Sequence, residues 1–203
     1  MRLRALLIAA LLISAGCSKK ALIRKYYILE SPSIPAAAQA QPEAALPYLV
    51  DVRDFRVSKA FDQTRIAVRT ESHELNYYYY HHWAVRPSTA FADFVFQAIN
   101  ERGLFRRCSR GYSYNPDYLI NGIVRHVERG MDEKGATARL GLVFELADAE
   151  HEVVRFRHAF DRTLELENDR DMNSFARAVS RILAEETQVF MDRLVDFFKD
   201  SEP

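Results

Sequence analysis

The chain contains little cysteine, tryptophan, glycine or proline. Its 203 residues include only two cysteines, one tryptophan, seven glycines and seven prolines. Two cysteines cannot build the disulfide framework of a small extracellular scaffold. Basic and acidic residues balance at 28 each, so the chain lacks the basic surplus of a nucleic-acid-binding protein. The remaining composition, with 48% hydrophobic residues, is that of one globular domain with a core.

Motifs for catalysis and for metal binding are also missing. The sequence contains no G-x-S-x-G nucleophile, no H-E-x-x-H pair and no glycine-rich phosphate loop. His73, His81 and His82 cluster, but adjacent strand residues point to opposite faces, so His81 and His82 cannot bind one ion. Cys108 follows two arginines, yet no residue is identified as its base. We therefore expect a protein that is not an enzyme, with no catalytic residues, no metal and no cofactor.

The first residues have the three parts of an export signal. Arg2 and Arg4 precede an apolar run over residues 5–13, and Ser14, Ala15 and Gly16 follow it. Nine apolar residues are too few to span a bilayer, which needs ~20. A cysteine directly after the small residues is typical of a lipoprotein signal. We expect residues 1–16 to be removed and Cys17 to carry diacylglycerol and a fatty acyl group; a short membrane anchor is the alternative.

The residues around the cleavage site give two further expectations. Ser18 follows the lipidated cysteine, where aspartate would retain a Gram-negative lipoprotein in the inner membrane. Serine therefore predicts the periplasmic face of the outer membrane. If Cys17 carries lipid, Cys108 is a free, partly buried thiol; a Cys17–Cys108 disulfide is the alternative and would abolish lipidation.

The rest of the chain divides into a tether and a domain. Residues 17–47 combine the anchor, a short strand at 26–29 and a Pro- and Ala-rich linker. Residues 48–200 predict a single α+β periplasmic domain. Alternating and aromatic patterns predict strands at 48–57, 65–70, 73–85, 118–128, 136–147 and 152–166, and helical spacing predicts helices near 87–102 and 172–199. Residues 106–117 are expected to be a polar, turn-rich loop. This order of strands, helix, strands and helix predicts a mostly antiparallel sheet with two helices packed on one face.

The aromatic strand at 73–85 is the best candidate for an interaction surface. Helices on one side of the sheet can bury only one of its two aromatic faces. The single tryptophan, Trp83, shares a face with Tyr77 and Tyr79 under strict alternation, and tryptophan is usually well buried. We therefore expect Tyr78 and Tyr80 to be the exposed interface pair.

The order of these landmarks resembles the ABC-type transport auxiliary lipoprotein family (PqiC/YmbA-like). The similarity covers nearly the whole mature chain and is carried by Cys17, the Tyr-Tyr-Ile-Leu strand at 26–29, the spacer to Pro47, the segment 61–69 and the Trp-Ala-Val-Arg-Pro junction at 83–87. The sequence departs from the family at 58–60, where Ser-Lys-Ala replaces a common proline.

The resemblance implies a function by association. Members are binding components that work with ABC transporters and MCE-domain proteins in lipid transport between the two envelope membranes, and some form homo-oligomers. The expected partners are therefore the MCE protein, the transporter and the membrane. A lipoprotein regulator that docks on a cell-wall synthase or another envelope machine is the alternative, and a periplasmic hydrolase is the third possibility.

Overall fold

The structure is a computed structural model that describes residues 23–30, 45–111, 115–133 and 135–200. Within these ranges it has nine strands and two helices. In chain order they are β1 (Lys25–Tyr27), β2 (Leu46–Val52), β3 (Arg56–Val57), β4 (Arg65–Glu71), β5 (Glu74–Trp83), α1 (Pro87–Arg102), β6 (Phe105–Arg110), β7 (Tyr118–Asp132), β8 (Gly135–Asp148), β9 (Val154–Glu165) and α2 (Met172–Asp200). The expected signal peptide, Cys17, Ser18 and residues 31–44 of the linker lie outside the described residues.

One long strand, β7, organises the sheet. Along one edge it pairs antiparallel with β8 over its full length, and β9 continues the sheet beyond β8. Along its other edge it pairs in turn with β2, β3 and β4, all parallel to it. β5 pairs antiparallel with β4, β1 adds to β5 in parallel, and β6 adds to β2 in parallel. Most of the paired length is antiparallel, and the sheet is open.

Both helices cover the same face of the sheet. α2 packs on β8 and β9, and α1 packs on β2, β3 and β6. The apolar residues of β8 alternate as the sequence predicts, with Leu140, Leu142 and Phe144 fully buried against the helices. Facing them, α2 presents buried residues at helical spacing, including Phe175 and Phe190.

The ends of the helices follow the chemistry of their sequences. Pro87 occupies the first turn of α1, where its missing N–H is no loss, and Gly103 ends the helix in the left-handed conformation at φ 64°. At the start of α2, the carboxylate of Asp171 accepts a hydrogen bond from the Asn173 backbone N–H at 3.0 Å. None of the described helices is long and apolar enough to cross a membrane.

The α+β class, the order of elements and the placement of both helices on one face are confirmed. One local expectation is wrong: residues 105–110 form strand β6, although they were expected to begin a loop. The run from 48 to 57 is also divided between β2 and β3. β6 carries three arginines, and within the described ranges it pairs along one edge, with β2; a polar strand is tolerated at the edge of a sheet.

Candidate functional site

The aromatic strand β5 does not keep strict alternation. Ala67 of β4 pairs with Tyr77, but Arg65, only two residues earlier, pairs with His82. Five steps along β5 therefore match two along β4, so β5 bulges between these positions. Such a bulge changes which side chains point to which face. The pairing of Tyr78 with Tyr80 on one outer face was derived from alternation, and it fails here.

Tyr79 is the exposed tyrosine of this strand. It is 65% exposed, whereas Tyr77, Tyr78 and Tyr80 are half-buried. Its ring contacts the edge of Tyr80, with ring centres 4.8 Å apart. Trp83 is 4% exposed and packs against Phe175 of α2, so its predicted burial is confirmed. The expected exposed pair, Tyr78 and Tyr80, is thus corrected to Tyr79 with Tyr80 at its side.

Tyr78 instead holds a buried arginine. The guanidinium of Arg129 lies over the Tyr78 ring, 5.8 Å from its centre, and donates a hydrogen bond to the Tyr78 hydroxyl. Arg129 also donates to the backbone carbonyl of Asp169 and contacts Met131 Sδ at 3.2 Å. A buried cation needs such partners, because desolvation without them is expensive. Tyr78 therefore has a structural role, because it binds the buried guanidinium of Arg129 and is not available to a partner protein.

The short strand β1 is fixed to β5 by side chains as well as by its backbone. The Tyr27 hydroxyl donates a hydrogen bond to His81 Nδ1 at 2.8 Å. Burial lowers the pKa of His81, and the nearby charges of Lys25 and Arg129 and the imidazole of His82 lower it further. His81 is therefore neutral at pH 7, and its Nδ1 lone pair is free to accept. The backbone N–H of Glu30 donates to Ser180 Oγ of α2 at 3.1 Å, which holds the end of this segment on the helix.

A groove opens beside β1. Its walls are the segment from Tyr26 to Glu30, the end of β9 and the first half of α2, and its volume is about 640 Å³. That is the size of a site for a small molecule or part of a lipid. Leu164 and Ala176 supply apolar lining, and Arg177 and Arg181 stand at the helix side.

The face of the sheet without helices carries a layer of ion pairs. Glu128 is 2% exposed and accepts two hydrogen bonds from Arg69, each 2.8 Å long. Glu145 is similarly buried under Arg157, whose Nη2 lies 2.6 Å from Oε1. In both pairs the arginine is far more exposed than its carboxylate. This face therefore presents guanidinium groups to solvent above buried acids.

The described residues do not bring together a catalytic set. Burial, with a smaller contribution from Asp51, raises the pKa of the Cys108 thiol to about 12, so it is not an activated nucleophile. His158 is buried and lies between Glu186 and Arg193, in hydrogen bonds that fix its ring. Among the described residues, no group of three or more potential ligand side chains could hold a metal ion. The geometry of the described residues fits a binding surface better than a catalytic site.

The sequence pattern did not locate the groove, the exposed Tyr79 or the arginine layer. The arginine layer had a partial signal, because Arg139 and Glu145 stand opposite the apolar face of β8. The groove had none, because it forms where β1 meets residues nearly 150 positions away. A run of four tyrosines does not indicate where a bulge will form, so the exposure of Tyr79 could not be predicted from the sequence.

Comparisons with known proteins agree with this fold. A family model described as "ABC-type transport auxiliary lipoprotein component" matches residues 27–189. The crystal structure of protein XCC0632 from Xanthomonas campestris is 20% identical, with a TM-score of 0.74, and the match covers 87% of this chain and 98% of that chain. An uncharacterized protein of known crystal structure is 11% identical, with a TM-score of 0.65, over 85% of this chain and 99% of that chain. No curated protein matches the chain significantly.

Proposed function

Because this chain belongs to the ABC-type transport auxiliary lipoprotein family, we propose that it is a binding and assembly component of an envelope lipid transport system. Its partners in this proposal are the ABC transporter components and an MCE-domain protein. The observation that carries the proposal is the family match over residues 27–189, which spans the whole folded domain apart from the last turns of α2. The role is non-enzymatic, in keeping with the dispersed histidines and the deactivated Cys108 thiol.

The proposed position is the periplasmic face of the outer membrane. Cys17 carries the lipid, and Ser18 directs the protein outward. Cys17→Ser should abolish incorporation of a labelled fatty acid, and equal labelling of the variant would rule out this anchor. Ser18→Asp should move the protein to the inner membrane on fractionation. If its position does not change, sorting in this organism does not read that residue.

The proposed partner contact is the exposed Tyr79 together with the half-buried Tyr80 beside it. Aromatic residues are enriched at the centres of protein interfaces, and truncating such an anchor typically costs about 2 kcal/mol or more of binding. Tyr79 has little packing to lose, since 65% of its surface is already exposed. Its replacement therefore separates binding from folding.

The test is co-purification of tagged lipoprotein from its own envelope in mild detergent, with mass spectrometry of the bound proteins. The wild type should bring down a permease, an ATPase and an MCE-domain protein. Tyr79→Ala with Tyr80→Ala should lose them, while Val153→Ser with Val189→Ser, two exposed positions elsewhere, should retain them. Recovery of a cell-wall synthase in place of the transporter would replace this function with the regulator alternative.

A further inference from the structure

Three exposed apolar side chains crowd into the six residues around β1. Ile23 is 75% exposed, Tyr26 is 61% exposed and Ile28 is 56% exposed. Arg24 and Lys25 lie between Ile23 and Tyr26 and are also exposed. Within the described part of the chain, neither cation has an ion-pair partner. We call residues 23–28 the basal segment. Lone apolar residues on a surface are ordinary, but a cluster mixed with cations marks a binding surface.

The basal segment is fixed on the folded domain. β1 pairs with β5 in the register Lys25–His81 to Tyr27–Trp83. Tyr27 is buried, and its hydroxyl bond to His81 ties the strand from the inside. β1 is an edge strand, and no strand in the described part of the chain pairs with its outer side. Whatever the basal segment touches thereby determines how the whole domain is oriented.

The distance to the proposed anchor is short. Only five residues lie between Cys17 and Ile23, and the six steps of a fully extended chain span about 20 Å. Lipid on Cys17 therefore keeps the basal segment close to the bilayer surface. The position of the basal segment near the bilayer rests on the proposed function only through the lipid on Cys17, and it does not depend on the transport partners.

The charge distribution selects this edge over the rest of the protein. All 28 aspartate and glutamate residues of the chain follow position 29. Lys19, Lys20 and Arg24 lie between the anchor and β1, Lys25 begins β1, and no acid lies among them. The remainder of the chain is net acidic and is repelled by anionic lipid, whereas this end is attracted to it.

We propose that the basal segment binds the surface of an anionic phospholipid bilayer. Tyr26, Ile23 and Ile28 insert at the level of the headgroups and upper acyl chains, where such side chains are favoured, and Arg24 and Lys25 pair with lipid phosphates. The lipid chains on Cys17 attach the protein to the bilayer but leave the domain free to rotate about a flexible link, and the basal segment fixes which side of the domain faces the membrane. The domain thus stands with β1 toward the membrane, and the groove beside β1 opens near the lipid surface.

The first test uses the unlipidated mature chain, with Cys17→Ser. It is mixed with vesicles of phosphatidylcholine alone or with about 30% phosphatidylglycerol, which gives the vesicles a negative surface potential. The chain should sediment with the anionic vesicles and much less with the neutral ones. Arg24→Gln with Lys25→Gln should weaken anionic binding by about fivefold for each cation removed. Ile23→Ser with Ile28→Ser should weaken it by about tenfold or more.

The matched control is Val153→Ser with Val189→Ser, which removes two exposed apolar side chains elsewhere and should leave vesicle binding unchanged. Equal loss in the control and in the Ile23/Ile28 variant would overturn the proposal. So would intact vesicle binding by the Ile23/Ile28 variant together with lost co-purification of proteins, since the segment would then be a protein interface. Because vesicles contain no protein, this experiment can succeed or fail independently of the transport function.

The second test measures orientation in the lipidated protein. A fluorophore is attached at Ile28→Cys or at Val153→Cys, and the native Cys108 stays unlabelled because the pKa of its half-buried thiol is raised to about 12. In reconstituted anionic vesicles, brominated lipids should quench the probe at position 28 strongly and the probe at 153 weakly. Equal quenching at the two positions would contradict the proposed orientation.

Discussion

Gly122 of β7 lies under an aromatic ring that has no room to move, and Gly122→Ala should destabilise the fold. A Cβ at this position would come closer than 3.0 Å to three atoms of the Phe55 ring. Phe55 is 2% exposed, and its ring meets the edge of Phe144, with ring centres 6.1 Å apart. Its backbone N–H is bonded to the Ser88 carbonyl of α1 at 3.0 Å. Neither the ring nor its backbone can shift without disturbing the core.

The expected magnitude follows from two opposing effects. Overpacking a core typically costs about 1–3 kcal/mol. Replacing glycine within a strand returns about 0.5–1 kcal/mol of conformational entropy. The net loss should be about 1 kcal/mol and at most about 2.5 kcal/mol. In a domain of this size each kcal/mol lowers the melting temperature by roughly 2–4 °C, so the expected fall is about 2–4 °C and at most about 10 °C. Thermal unfolding followed by circular dichroism measures it.

Gly141→Ala is the matched control, because its Cβ would also meet a ring. That ring is the imidazole of His126, which lies on the face without helices and bonds Asp161 at 3.0 Å. The imidazole can turn away at the cost of its hydrogen bond to Asp161, about 1 kcal/mol. Adding Phe55→Leu should recover part of the loss in Gly122→Ala and none in Gly141→Ala. A Gly122→Ala protein that melts at or above the wild-type temperature would refute the reasoning.

Three further predictions concern titratable groups. The pKa of His81 is lowered in the fold, so the unfolded chain takes up its proton first: the free energy of unfolding should fall as the pH drops below about 6.5, and less so in His81→Asn. A pH dependence identical in the two proteins would exclude His81 as its source. Cys108, with a pKa of about 12, should react with a disulfide reagent at pH 8 only after denaturation; rapid reaction of the native protein would contradict this. Arg69→Met removes the bidentate partner of buried Glu128 and should cost about 1–3 kcal/mol in urea unfolding; an unchanged midpoint would show that Arg139, 3.7 Å from Glu128, suffices.

The sequence predicts the elements of this fold better than their pairing. The alternation in β8 and the helical stripe of α2 are long enough to be read without ambiguity, and both are buried as expected. The sequence does not predict β6, because its three arginines give no apolar alternation and an edge strand needs little buried surface. The parallel pairing of β2, β3 and β4 with β7 joins residues more than 60 positions apart, and no local pattern encodes it.

The candidate surface was predicted only in part. Burial of Trp83 follows from its size and apolar character, and the choice of β5 as an exposed aromatic strand holds for Tyr79. The face assignment depended on a period of two, which the bulge between Tyr77 and His82 breaks. When the alternation shifts by one residue, every side chain beyond that point is predicted on the wrong face of the sheet, as happened for Tyr78.

The dependence of the amino-terminal strands on β7 has a consequence for biogenesis. Among the described strands, β2 pairs only with β6 and β7, and β3 pairs only with β7. A chain that emerges from its amino terminus has therefore made residue 57 long before residue 118 is available to pair with it. The hairpin of β4 and β5 can form early, but the central sheet cannot close. Such a topology delays folding until more than half of the polypeptide has appeared, which keeps the chain unfolded for the export that the proposed lipid anchor on Cys17 requires.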